Sequence, residues 1–201
     1  MTVEIIFDSD LIERTLERLR DVPYALQRAV YPAVSEVLEG VKDHLSEYLT
    51  SDVPIDPKAA RKALKMRMPM SSGGFILGSV SVSSKMLPLI YYDVQPKSQT
   101  AQSGLRPAQW PDFTFSLRRG DRRAGRSRIQ GSSLPFIARM PTGHLGVYYR
   151  TGTGIKQSYG PTVQYHVATP EIESAFADRA NRRFPELLGR YADQALAGSG
   201  G

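Results

Sequence analysis

Val30, Val34, Val37, Val41, Leu45 and Tyr48 recur at spacings of only three and four residues. That rhythm follows one face of an α-helix and no face of a strand, so the N-terminal quarter of the chain is expected to bury a long helix against an apolar surface. Pro32 falls inside the run, where it removes one backbone hydrogen bond and crowds the carbonyl of Arg28, so a kink or a late start is expected there. A second stripe closes the chain: Ile172, Phe176, Ala180, Phe184, Leu187, Tyr191 and Ala195. Thr169-Pro170-Glu171 is placed to open that helix and Gly198 to follow it, with Pro185 expected to kink or divide it.

Before the first stripe, residues 2–7 read as a short strand, and Asp10-Leu-Ile-Glu13 resembles a capping box opening a helix with Ile12, Leu16 and Leu19 on one side and an end near Asp21. Pro23 is placed as a first-turn proline, starting the long helix near Tyr24, and Asp56-Pro57 suits the cap of a short helix running to Leu64. From residue 65 to 168 the vocabulary turns to β-branched and aromatic residues broken by Gly, Pro and Ser. Residues 75–82, 89–94, 113–117, 136–140 and 145–150 read as strands of an antiparallel sheet. Between them, residues 95–111 and 118–134 are long, polar and poor in apolar side chains, as functional arms are. The expected fold is α+β: an antiparallel sheet packed by a long N-terminal helix and a C-terminal helix, with two polar arms. One domain is expected over residues 1–201, helical over 1–64 and again over 169–197, β-rich over 65–168, with 198–201 a disordered tail.

The charges are sorted along the chain. Residues 1–56 hold 5 Lys/Arg against 12 Asp/Glu, residues 57–168 hold 17 against 3, and the remainder 4 against 5, within an overall net charge of +6. Such sorting points to a polyanionic partner or to a neighbouring subunit whose acidic part meets this basic part. There is no cysteine, which removes disulfides, thiolate nucleophiles and every cysteine-containing zinc site. Neither an apolar run of membrane-spanning length nor a secretory start is present, so a soluble protein with no membrane partner is expected.

The window 136–163 mixes glycines, a histidine, hydroxyls and a Lys-Gln-Ser run, the composition of many phosphate sites. The chemistry fails on spacing. A phosphate loop needs its second glycine directly before Lys-Ser or Lys-Thr, and Gly152-Thr-Gly154-Ile-Lys156-Gln-Ser158 does not supply it. The dinucleotide fingerprint lacks its third glycine and its helix. No carboxylate stands within twenty residues of His144, and no Gly-x-Ser-x-Gly elbow exists. No catalytic residue, cofactor or metal site is assigned, and no enzyme activity is expected. Read as architecture, Met140-Pro141-Thr142-Gly143 joins two strands as a β-hairpin, and Tyr159-Gly160-Pro161 makes a further fixed bend.

On these residues the chain resembles the minor tail protein Z family of lambda-like tailed phages and prophages. The carrying positions are Phe136-Ile-Ala-Arg139, Gly143-His144, Gly146-Val147, Arg150 and Tyr159-Gly160-Pro161-Thr162-Val163. Thr162 stands where the family usually has serine, and Ser158 where an apolar or acidic residue commonly precedes the tyrosine. The resemblance implies a non-enzymatic virion component, assembled in the host cytoplasm and acting in tail completion at the head-proximal end and the head–tail junction. Proteins there typically form rings around the DNA path, commonly hexamers, in contact with other tail and connector proteins.

Two polar segments are the candidate contact sites. Trp110, between Gln109 and Pro111 on the first arm, is the expected interface anchor. In the second arm Arg118, Arg119, Arg122, Arg123, Arg126 and Arg128 face the single Asp121. Arginine pairs with phosphates and carboxylates through two parallel hydrogen bonds, so the partner is either double-stranded DNA in a channel or an acidic protein surface. The alternative to a ring is a nucleic-acid-binding protein whose Tyr91, Tyr92, Trp110, Phe113 and Phe115 stack on bases; those aromatics otherwise belong to the sheet core.

Overall fold

The computed structural model describes residues 2–72, 75–98, 113–120, 122–123 and 134–198, with the backbone alone described for 68–72, 75–77 and 122–123. In chain order the elements are β1 (Thr2–Ile6), α1 (Ser9–Arg18), a π-helical turn (Leu26–Val30), α2 (Tyr31–Asp52), α3 (Pro57–Ala63), β2 (Leu64–Ser72), β3 (Phe75–Val82), β4 (Met86–Pro88), a 3-10 turn (Leu89–Tyr91) and β5 (Asp93–Gln95). There follow β6 (Thr114–Ser116), β7 (Arg122–Arg123), β8 (Phe136–Arg139), β9 (Leu145–Thr151), β10 (Gly154–Gln157), β11 (Tyr159–Thr162), α4 (Val163–Val167) and α5 (Pro170–Ala197). The class is α+β, as the sequence implies. Among the described residues the strands form four small antiparallel sheets in place of a single one.

Two compact units share these elements. The first comprises Met1–Glu47, Arg61–Ser83 and Val167–Gly201; the second comprises Tyr48–Ala60 and Ser84–His166. No shift of composition along the chain announces this division.

The first unit is built on the sheet β1-β3-β2. Alternation along β1 turns Val3, Ile5 and Phe7 inward and leaves Glu4, Ile6 and Asp8 outside. Val30, Val34, Val37, Val41 and Leu45 are all buried, as the spacing requires, together with Ala33 and Leu38. Gly78 lets α2 approach the sheet: a Cβ there would lie 2.8 Å from Cδ1 of Leu38. From α5, Ala180, Phe184, Leu187 and Ala195 are buried, and the Phe184 ring packs on Phe7 with centroids 4.6 Å apart. Ile172, Phe176 and Tyr191 of the stripe are half-buried, while Leu188 and Ala192 join the core.

Several boundaries differ from expectation for identifiable reasons. The cap of α1 is Asp8, whose carboxylate accepts the Leu11 amide at 3.0 Å; Asp10 lies in the first turn, where its charge suits the helix N-terminus. The helix ends at Arg18, earlier than Asp21. Pro23 does not open the long helix: Tyr24 adopts φ +58 and breaks the chain there. The π-helical turn runs directly into α2, which starts at Tyr31 with Pro32 as its second residue, the late start expected of that proline. α5 continues through Pro185 undivided. Asp56 caps α3 through the Ala59 amide at 2.9 Å, and Thr169 caps α5 through Ile172, as read.

In the second unit the sheets are β10-β9-β8, β11-β4 and β5-β6-β7. Val53, Ile55, Tyr92, Val94, Phe113, Ile137, Val147 and Val163 are buried there. The expected strand 89–94 begins instead as a 3-10 turn, because the Leu89 amide is drawn to the Ser158 carbonyl at 3.0 Å and Tyr92 closes back on Leu89. Tyr92 and Phe113 are core residues, Phe115 is half-buried and Tyr91 is exposed. No helix among the described residues is long and apolar enough to cross a membrane.

Candidate functional site

The hairpin forms as its sequence requires. β8 pairs with β9 from Phe136↔Tyr148 to Arg139↔Leu145. The turn is closed by the Gly143 amide on the Met140 carbonyl at 2.8 Å, with Gly143 at φ +81, a conformation that penalises any side chain. Arg139 is spent on this turn, donating to the Gly143 carbonyl at 2.7 Å. Arg150 lies over the Phe136 ring, 5.5 Å from its centroid.

Gln157 draws the rest of the motif together. Its amide nitrogen lies 2.8 Å from Nε2 of His144, and its carbonyl oxygen accepts the Tyr159 hydroxyl at 3.2 Å. With its carbonyl oxygen taken by the Tyr159 hydroxyl, the Gln157 amide nitrogen is the end that faces His144 Nε2. Gly146 makes room for this bridge, since a Cβ there would lie 2.9 Å from both the Gln157 amide and the Tyr148 ring. Burial pushes the Tyr148 phenol up, and nearby Tyr159 adds to that shift.

The Tyr159-Gly160-Pro161-Thr162-Val163 stretch is resolved residue by residue. β11 pairs with β4 at Tyr159↔Pro88 and Thr162↔Met86, and the register shifts between them, which is where the bend expected at Gly160-Pro161 falls. Gly160 rests on the Tyr92 ring, with only 2.5 Å between its absent Cβ and Tyr92 Cε2. The Tyr92 hydroxyl donates to the Pro161 carbonyl at 2.7 Å, and burial pushes that phenol up to about 12. Thr162 Oγ1 accepts the Tyr165 amide at 3.1 Å and starts α4, a task serine performs equally well. Val163 is buried. Gln157 and the capping role of Thr162 escape sequence reading; Tyr92, read as either a stacking residue or sheet core, is buried.

The arginines separate into different roles. Arg118 and Arg119 lie in the turn between β6 and β7, with Gly120 at φ +84. Arg119 is already engaged within the chain: its guanidinium donates to the Thr50 carbonyl at 3.1 and 2.8 Å, and its amide donates to the Asp52 carbonyl at 2.9 Å. It caps the end of α2, where carbonyls are unpaired and the helix dipole favours a cation. Arg122 and Arg123 belong to β7, paired with Ser116 and Phe115, so the second arm begins as a hairpin. Trp110, Arg126 and Arg128 lie outside the described residues, as does the stretch 99–112 of the first arm.

Two buried polar groups have no partner among the described residues: Ser158 Oγ and both ring nitrogens of His166. Desolvation lowers the His166 pKa, with Arg118 adding to the shift and Asp52 opposing it. The rings of Tyr165 and Tyr92 lie 5.4 and 6.4 Å from the imidazole centroid. The described residues contain no cluster of three metal-ligating side chains. Charge follows the division into units: the first holds 13 Lys/Arg and 15 Asp/Glu, the second 13 and 5, a difference between −2 and +8. No family model, no curated protein and no solved structure matches the chain.

Proposed function

We propose that the protein is a structural, non-enzymatic component of a phage tail, acting in tail completion at the head-proximal end and at the head–tail junction. On this reading it assembles as a ring, of hexameric order by the family resemblance, around the DNA channel, and meets other tail and connector proteins. It is made in the host cytoplasm and ends in the virion.

The observation that carries the reading is how the resembling residues are used. Arg139, Gly143, Gly146, Gly160 and Pro161 serve a turn, a close approach or a hydrogen bond, and His144 is bridged to Tyr159 by the Gln157 amide. Residues that build one scaffold are what a shared architecture retains, and they leave the +8 charge of the second unit for an anionic partner. That same charge favours one other reading, a nucleic-acid-binding protein that acts without self-assembly.

Electron-microscope class averages and native mass of the purified protein test this. Closed rings with a central opening wide enough for duplex DNA are expected. A monomer that binds free DNA with a steep salt dependence overturns the ring in favour of the alternative.

A further inference from the structure

His166 stands on α4 with both ring nitrogens buried and without a hydrogen-bond partner among the described residues. Buried polar groups are paired as a rule, so an imidazole held this way needs a physical reason. Packing supplies one for the neutral ring: Tyr165 lies edge-on to it, with centroids 5.4 Å apart and planes at 86°, and Tyr92 lies tilted at 6.4 Å. A charged imidazole needs acceptors for two N–H groups, and neither ring supplies a carboxylate or a carbonyl.

An acceptor stands close by. Charged groups from two other elements act on the imidazole: Arg118, in the turn between β6 and β7, opposes a positive charge there, and Asp52, the last residue of α2, favours one. All of these residues belong to the second unit. The Asp52 side chain is exposed and has no ion pair among the described residues. It sits in a last turn without a basic residue, where the helix dipole disfavours a carboxylate and favours a cation. Arg119 brings one cation to that helix end through the Thr50 carbonyl, which leaves the Asp52 carboxylate for a second.

α4 is built to give way. It has five residues, Val163–Val167, and the Thr162 hydroxyl answers its Tyr165 amide at 3.1 Å. A helix of that length persists only through the packing of its side chains, and the His166 ring is part of that packing.

We propose that α4 is a proton-operated latch, closed while neutral His166 packs on Tyr92 and Tyr165 and opened when the charged ring leaves them for the Asp52 carboxylate. The closed form resists the proton through burial first and Arg118 second, whereas the open ring titrates at the ordinary 6.5 or above, so opening sets in as pH falls through that value.

Amide hydrogen exchange followed by NMR tests this, with rates referred to those of an unstructured peptide at the same pH. An opening driven by one proton becomes about tenfold more frequent from about pH 7.5 to about pH 5.5. Protection of the α4 amides from Tyr165 onward is expected to fall by that factor, while β9 in the same unit keeps its own. His166→Phe keeps a ring against Tyr92 and Tyr165 and takes no proton, so its profile is expected to stay flat. Asp52→Asn removes the acceptor and is expected to move the opening to lower pH. Parent protection that does not change with pH overturns the latch whatever the variants do. So does a His166→Phe protein with the parent's profile, an Asp52→Asn protein that opens at the parent's pH, or a loss of protection shared equally with β9, which is unfolding of the whole unit.

Discussion

The hydroxyl of Tyr92 donates to the carbonyl of Pro161 at 2.7 Å, across 69 residues of sequence, while its ring fills the space that a side chain at Gly160 would need. One buried phenol thus fixes both the path of β11 and the start of α4. Tyr92→Phe removes the hydrogen bond and keeps the packing, so a loss of about 1 kcal/mol is expected. Gly160→Ala drives a methyl into the ring and is expected to cost more, about 1–3 kcal/mol. Denaturant melts of the two variants check the order; a Gly160→Ala protein as stable as the parent would show that the ring does not hold this position.

The helical stripes carry a second expectation. Val37 and Leu187 are each 2% exposed in the core of the first unit. Aspartate at either site buries a charge with no partner, and a loss on the order of 3 kcal/mol or more is expected. Variants that melt with the parent would remove both faces from the core.

These stripes were legible because a period of 3.6 needs no knowledge of the rest of the chain. The caps at Asp56 and Thr169 and the hairpin turn at Gly143 were legible for the same reason, since each is decided within four residues. What escaped is decided at a distance. The run from Leu89 to Val94 has strand composition, yet the Leu89 amide binds Ser158 and the chain turns. Asp8 and Asp10 are equally good caps by type, and only the entry path from β1 selects Asp8. Arg119 looks like its neighbours in sequence, and nothing local assigns it to the end of a helix 67 residues earlier. The pairing of Glu36 with Arg183 and Arg190 and of Asp43 with Arg61 is likewise set by residues distant in sequence.

His166 predicts a pH dependence. Its imidazole is desolvated, faces Arg118 with Asp52 in opposition, and has no hydrogen-bond partner among the described residues, so its folded pKa lies below the ordinary 6.5. The unfolded chain therefore takes up the proton first as pH falls, and stability is full above 6.5 and lost progressively below it. Glu36, whose pKa is lowered by the Tyr191 hydrogen bond and by Arg190 and Arg183, contributes stability that is lost only below 4.5. The two windows separate. Between pH 7 and 5 the melting temperature of the parent is expected to fall more than that of His166→Phe, and parallel profiles would remove His166 as the cause.

Trp110 gives an expectation about assembly. A polar segment with one large aromatic gains little from anchoring to its own chain and much from a partner pocket. Trp110→Ala protein is expected to fold as the parent does and to fail in tail completion, read as loss of infectious particles in a complementation assay. Complete, infectious tails from that variant would remove Trp110 as an interface anchor.

The arginine turn separates stability from recognition. Arg119 donates to the Thr50 carbonyl and its amide to Asp52, so Arg119→Ala is expected to lower stability by about 1 kcal/mol through loss of a helix-end cap. Arg122, Arg123 and Arg126 follow in the same run, and changing all three to Gln is expected to leave the melting curve in place and to act on a partner instead. If that partner is DNA, affinity falls alike for all sequences and the salt dependence flattens by a slope of roughly 0.9 for each phosphate no longer neutralised. If it is an acidic protein surface, DNA binding is unchanged and junction formation fails. A triple variant that melts early would place these arginines with Arg119 as structural residues. One that melts, binds and assembles as the parent does would leave these three arginines on a solvated loop.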